Sequence, residues 1–164
     1  MKKLIIPAML CSLLAVSCSK DDDNGNKPVV EPPIEKFESL IVGKWKPTAI
    51  QIVKSSDGEV VDLGLSSSNE CNSKDFNQYT KDGKYIENKY FEQEDSADCK
   101  EQVSETTYTI DQLKSTLEIK GLLNPVEQII KLNREELVLK VLGADYDKDD
   151  KADYRIYTYK RIDK

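Results

Sequence analysis

Asp145, Asp147, Asp149 and Asp153 stand at positions one, three, five and nine of the segment Asp145-Tyr146-Asp147-Lys148-Asp149-Asp150-Lys151-Ala152-Asp153. Alternate carboxylates at this spacing let their oxygens converge on one hard cation, and the backbone carbonyl of position seven, here Lys151, adds a further ligand. Calcium is the ion such a loop would take. Position six is Asp150, where glycine usually makes the sharp turn, and position twelve is Ile156 rather than a bidentate glutamate. The other reading is an exposed hairpin of alternating charge, with Lys148 and Lys151 partly neutralising the acids. Elsewhere the chemistry is sparse. The chain has no histidine, which excludes Ser-His-Asp and Cys-His catalysis and the usual histidine-based zinc sites. No two carboxylates are placed together as glycoside hydrolysis needs, and no nucleophile motif is present. The expectation is a protein that is not an enzyme.

The four cysteines divide by position. Lys2 and Lys3 lead into an apolar run from Leu4 to Val16, followed by Ser17 and Cys18. That run is too short to span a bilayer, which takes about 20 apolar residues. It has the organisation of a secretory signal. With a small residue immediately before Cys18, residues 1–17 resemble a bacterial lipoprotein signal peptide, which implies that Cys18 becomes the lipidated first residue of the mature chain. Cys11 would leave with the signal. Ser19-Lys20-Asp21-Asp22-Asp23-Asn24 resembles the surface-export signal of Bacteroidota-type lipoproteins, which implies a lipid-anchored place in the outer membrane, exposed at the cell surface. The same residues also read as a solvated acidic tether. Residues 18–36 hold Pro28, Pro32 and Pro33 and few apolar groups, the composition of a flexible linker.

Residues 37–164 are enough for one domain with one core. Loss of the signal removes Lys2 and Lys3, leaving 22 basic against 30 acidic side chains and a net charge of −8. Such a surface disfavours nucleic acid and anionic lipid. In an oxidising compartment Cys71 and Cys99 are expected to form one disulfide, free thiols being the alternative.

Short alternating runs separated by turn signals fill this region. They are 42–54, 59–63, 76–80, 84–91, 105–110, 115–120, 126–132, 137–142 and 154–162, with turns at Ser56-Asp57-Gly58 and Lys81-Asp82-Gly83. Residues 64–73 read as a loop or a short helical lid, and 92–102 as a loop. About nine short strands with brief connections predict an all-β protein, an antiparallel up-and-down β-barrel of about eight strands. In such a barrel the first and last strands pair antiparallel, which would bring Trp45 beside Arg161 and allow the guanidinium to stack on the indole.

Gly43-Lys44-Trp45 at the head of the first strand, a cysteine after the second, the hairpin at Asp82-Gly83, a second cysteine and the closing Tyr159-Lys160-Arg161-Ile162 resemble the bacterial lipocalin-like lipoprotein domain over residues 37–164. The resemblance implies that Gly43, Trp45 and Arg161 close the bottom of the barrel. It also implies a small, mostly apolar ligand inside. The acidic loop in turn resembles the calcium loops of integrin-type and dockerin-type repeats.

Alternation alone offers Tyr108, Ile110, Leu117, Ile119, Ile130, Leu139 and Ile156 to the interior, with Gln78, Gln128 and Tyr154 as polar anchors. Those side chains could equally fill the barrel. The protein would then be a non-catalytic interaction module. Its rim loops, 64–73, 92–102 and 145–153, would contact a protein or glycan, helped by Tyr157 and Tyr159 on the outer face. Either way a monomer is expected.

Overall fold

The computed structural model describes residues 35–64, 70–93 and 96–163. The signal, Cys18 and the linker up to residue 34 lie outside them, as do parts of the two rim segments, residues 65–69 and 94–95. A short helix, α1 (Phe37–Ile41), precedes nine strands: β1 (Gly43–Val53), β2 (Val60–Asp62), β3 (Phe76–Tyr79), β4 (Lys84–Gln93), β5 (Ser96–Asp111), β6 (Thr116–Ile119), β7 (Val126–Leu132), β8 (Glu136–Leu142) and β9 (Tyr154–Arg161). A 3₁₀ turn over Asn72–Lys74 leads into β3.

All pairings are antiparallel between neighbours in sequence, except around β1. One edge of β1 pairs with β9 from Trp45 opposite Arg161 to Val53 opposite Tyr154. Its other edge is shared: Gly43–Trp45 pair with β3, and Gln51–Val53 with the short β2. The ring β1, β3–β9 is therefore a closed antiparallel barrel of eight strands, with β2 a flap on the far half of β1.

Two bulges set which side chains face inward. In β7 the register shifts between Ile129 and Lys131, so Ile129 lies opposite Leu139 while Leu132 lies opposite Leu137. Both isoleucine and leucine turn inward although they are three apart, which strict alternation forbids, and Ile130 is the extra residue left outside. In β1 the shift between Pro47 and Ala49 does the same for Trp45 and Ile52. Proline is tolerated there because a bulge needs no ladder donor.

The core is one cluster inside the barrel: Ile41, Trp45, Tyr79, Tyr85, Leu117, Ile119, Ile129, Leu137 and Leu139. Leu117 and Leu137 are fully buried. Truncating either to alanine would cost about 2–5 kcal/mol.

The polar stretch read as a loop at 92–102 is largely strand. β5 runs for 16 residues. From Ser96 to Thr106 it pairs with β4 alone, because β6 joins only at Tyr108. The described side chains of β5 from Asp98 to Glu105 are exposed except for Cys99, so this stretch carries no apolar alternation and periodicity cannot reveal it. Polar cross-strand pairs hold it instead: the Tyr90 hydroxyl donates to Glu101 Oε1 at 2.9 Å, and Lys84 pairs with Glu105 at 2.9 Å. Cys99 lies on this stretch and is bonded to Cys71 just before the 3₁₀ turn, with 5.4 Å between the Cα atoms.

Candidate ligand-binding interior

The closed end is built first by sequence. α1 lies across it with Ile41 fully buried, and the Trp45 indole N–H donates to the Ile41 carbonyl at 2.7 Å. Arg161 leaves β9 with its guanidinium carbon 4.4 Å from the centroid of Trp45. Its Nη1 donates to Val42 O at 2.7 Å, its Nε to Arg134 O at 2.6 Å and its Nη2 to Leu40 O. One side chain thus ties α1, β1 and the β7–β8 turn to the end of the last strand. Gly43 makes this possible. A Cβ there would stand 1.9 Å from Arg161 Nη1, and φ is +144°, a conformation side-chain-bearing residues rarely adopt. A groove of about 660 Å³ beside this clamp is lined by Glu35, Arg134, Arg161 and Asp163. Those groups are already engaged with one another or with backbone.

Above the clamp the interior is aromatic. Tyr79 packs against Tyr85 at 5.2 Å, tilted, and against Tyr108 at 5.0 Å, edge-on. The Tyr108 hydroxyl donates to Thr80 O at 2.9 Å. Burial raises the hydroxyl pKa of Tyr79, Tyr85, Tyr108 and Tyr159, so all four stay neutral donors. Leu117, Ile119 and Leu139 are buried here and Ile110 packs against them.

The predicted interior set is corrected at five positions. Ile130 is 53% exposed, and Gln128 is exposed on the outer face, because the β7 bulge reverses the phase of that strand. Ile156 and Tyr154 are also outside. Ile156 stands opposite Lys140, and the Lys140 ammonium lies 3.7 Å from the Tyr154 ring centroid. The inward set of β9 is Tyr157 and Tyr159, opposite the buried Leu139 and Leu137. The two tyrosines expected outside are therefore within. Gln78 shares the outer face with its partners Lys44 and Ile86, since its neighbour Tyr79 points in.

The same inversion brings charge into the barrel. Glu127 follows Ile129 inward and stands opposite the fully buried Leu117. Burial raises its pKa to about 7, and its charge is felt at Tyr79, Tyr85 and Tyr159. Glu87 lies on the inner face of β4, paired with Lys89 at 3.0 Å and accepting from Ser104 Oγ at 3.4 Å. An open pocket of about 270 Å³ is lined by Tyr85, Glu87, Ser104 and Thr106 of the inner face, by Glu105 of the opposite face and by Lys120–Leu122, most of them exposed. Arg155 stands opposite the buried Ile52, and its guanidinium is held by the Tyr146 and Tyr157 hydroxyls. Sequence reading missed Glu127, Glu87 and Arg155. A lone acid in an apolar strand was the available signal for Glu127, and it pointed outward under the wrong phase.

The acidic loop lies at the end opposite α1. Carboxylate oxygens of Asp145, Asp147 and Asp149 lie within 4.8 Å of one another. Asp145 accepts from the backbone N–H groups of Lys148, Asp149 and Asp150, and Asp150 takes φ +66° in place of the expected glycine. Asp147 Oδ2 accepts from Ser56 Oγ at 2.7 Å, which lowers its pKa, while its Oδ1 is buried without a partner. Asp153 does not join them. It is fully buried and accepts from Ser55 N at 2.8 Å and Tyr146 N at 2.7 Å, fastening the hairpin to the β1–β2 turn.

The lipocalin-like domain family profile matches residues 41–139, more than half of the chain. No curated protein sequence matches. Among solved structures, Japanin from Rhipicephalus appendiculatus, in a crystal form bound to cholesterol, is 11% identical with a TM-score of 0.49, covering 78% of this chain and 80% of its own. Bovine odorant-binding protein in complex with undecanal is 13% identical with a TM-score of 0.42, covering 82% and 78%. The bovine lipocalin allergen Bos d 2 is 13% identical with a TM-score of 0.39, covering 77% and 76%.

Proposed function

This chain belongs to the lipocalin-like domain family, and from that premise we propose that it is a surface-tethered binding protein that carries a small, mostly apolar ligand in its barrel. The carrying observation is the open pocket where Tyr85 of β4 and Thr106 of β5 meet Leu122 of the β6–β7 turn. Pockets of this kind are mostly apolar with a few placed polar groups. Ile50, Ile129, Leu139 and Tyr157 extend the apolar wall around the ring. Lipidation of Cys18, an outer-membrane location and the reach of the 18–36 linker complete this reading. They rest on the sequence signals alone. No catalytic step is assigned to any residue.

Calcium belongs to the same reading as a structural ion. Asp145, Asp147 and Asp149 would hold it, and the unpartnered Oδ1 of Asp147 suits a cation better than it suits an empty loop. Bound calcium would stiffen the hairpin beside Arg155 and Tyr146.

A second reading has its own observation. Val60, Leu63, Phe91 and Leu123 are exposed around the end opposite α1. Exposed apolar side chains on the β2 flap, on β4 and in the β6–β7 turn suit a protein or glycan partner. Native mass spectrometry decides between the two. The protein is exposed to a lipid and metabolite extract and desalted gently. A retained adduct of a few hundred daltons supports the carrier; a bare mass at every extract concentration refutes it and leaves the rim.

A further inference from the structure

Inside the barrel, Glu127 is the charged group without a partner. It makes no hydrogen bond and no ion pair with any described residue, whereas the other charges on the inner face are engaged. Glu87 is paired with Lys89. Arg155 is held by Tyr146 and Tyr157. Glu127 is fixed in place by register, opposite fully buried Leu117 and two residues from Ile129, which is 5% exposed. Its charge reaches the hydroxyls of Tyr79, Tyr85 and Tyr159.

A partly buried carboxylate that no protein group meets, with its oxygens still reached by water, gains from a cation brought beside it. Hydrophobic packing does not explain it, since a leucine at position 127 would suit this wall better. We infer that the ligand of this barrel is an organic cation, an amphiphile whose protonated amine is met by Glu127 and whose apolar body lies along the tyrosine wall. Tyrosine faces attract a cation as well as an apolar body, so the wall and the acid favour the same head group. An anionic amphiphile would set its carboxylate against Glu127 and Glu87 and be repelled. The raised pKa fits this arrangement: the empty site holds a proton in place of the amine, and the ammonium displaces it.

This rests on the carrier reading, and the experiment separates the two. Octylamine, octanol and octanoate share one tail and differ in the head. Each is titrated calorimetrically into the purified protein and into Glu127→Gln at pH 8, where the acid is ionised and an alkylamine is protonated. The expected result is that octylamine binds more tightly than octanol, and that the octylamine-to-octanol preference drops about 10- to 100-fold in Glu127→Gln, the scale of one charged hydrogen bond. Near pH 7, octylamine binding to the unmodified protein should release roughly half a proton, read from titrations in buffers of different ionisation enthalpy, because the acid is then about half protonated. This second readout needs no variant. Equal affinity for all three heads, or an unchanged preference in Glu127→Gln, overturns the cation and leaves the carrier. No binding of any of the three overturns both.

Discussion

Arg161→Met removes the guanidinium and keeps most of the alkyl stem, so it isolates what the clamp contributes. Five contacts disappear: the stacking on Trp45, three hydrogen bonds to backbone carbonyls, and the ion pair with Asp163 at 3.4 Å, which is partly exposed and adds little. The stacking on Trp45, at 4.4 Å from a fully buried indole, is worth about 0.5–2 kcal/mol. The carbonyls of Leu40 and Val42, both partly buried, lose a charged donor at about 1–2 kcal/mol each. The Arg134 carbonyl is exposed and recovers water, so it adds little. The sum is about 2.5–6 kcal/mol, which for a domain of this size lowers the melting temperature by roughly 10–25 °C. Urea unfolding followed by circular dichroism measures the first quantity and a thermal scan the second. Arg161→Lys keeps the charge but not the fork, and should recover less than half of the loss. Gly43→Ala should approach the same deficit by another route, because its Cβ would occupy the place of Arg161 Nη1. A cost below about 1 kcal/mol for Arg161→Met, or full recovery with lysine, would refute the clamp as the element that closes the barrel.

Three further outcomes are expected. Replacing Cys71 and Cys99 by serine should cost about 3–4 kcal/mol for a loop of 28 residues, and reductant should lower the stability of the parent protein but not of this variant. Glu127 has a folded-state pKa of about 7 against an unfolded 4.5, so the native state binds the extra proton between those values and stability falls as pH rises through them, by about 3 kcal/mol. Urea midpoints at pH 5 and pH 8 should therefore differ in the parent and converge in Glu127→Gln. If the acidic loop takes calcium, Asp147→Asn with Asp149→Asn should lower the melting temperature only when calcium is present. An equal drop in chelator removes the site.

Much of the barrel was legible because its signals are local. Turns at Asp57-Gly58 and Asp82-Gly83, alternation in β6 and β8, and the Gly43-Lys44-Trp45 start each act within a few residues. The antiparallel return of the last strand follows from even strand number, and it placed Trp45 opposite Arg161 in the register. What alternation could not reveal is phase. In β9 both sets are partly apolar, Tyr154 and Ile156 against Tyr157 and Tyr159, and only the partner strand decides between them. In β7 the decision belongs to a bulge, which is a property of the pair rather than of the strand. The first part of β5 was invisible for the opposite reason, since an exposed polar strand has no apolar face to betray it, whereas its partner β4 was legible over 84–91.

These phase errors concern function more than fold, because they fall on the residues that would touch a ligand. Under the naive phase, the interior presents Gln128, Ile130, Tyr154 and Ile156, which describes a neutral pocket with amide anchors. Under the observed phase it presents Glu127, Ile129, Tyr157 and Tyr159, an acid set in an aromatic wall. One extra residue at Ile130 separates the two phases of β7, and the pairing with β8 sets the phase of β9. Deleting Ile130 should remove the bulge and leave Ile129 and Leu132 two residues apart, both inward in a regular ladder opposite Leu139 and Leu137. The inner wall keeps its side chains, so the cost in urea unfolding should stay below that of a core truncation, about 2–5 kcal/mol. A loss of that size would mean that β7 needs the bulge itself, and that the pairing of Ile129 with Leu139 does not by itself fix the inward position of Glu127.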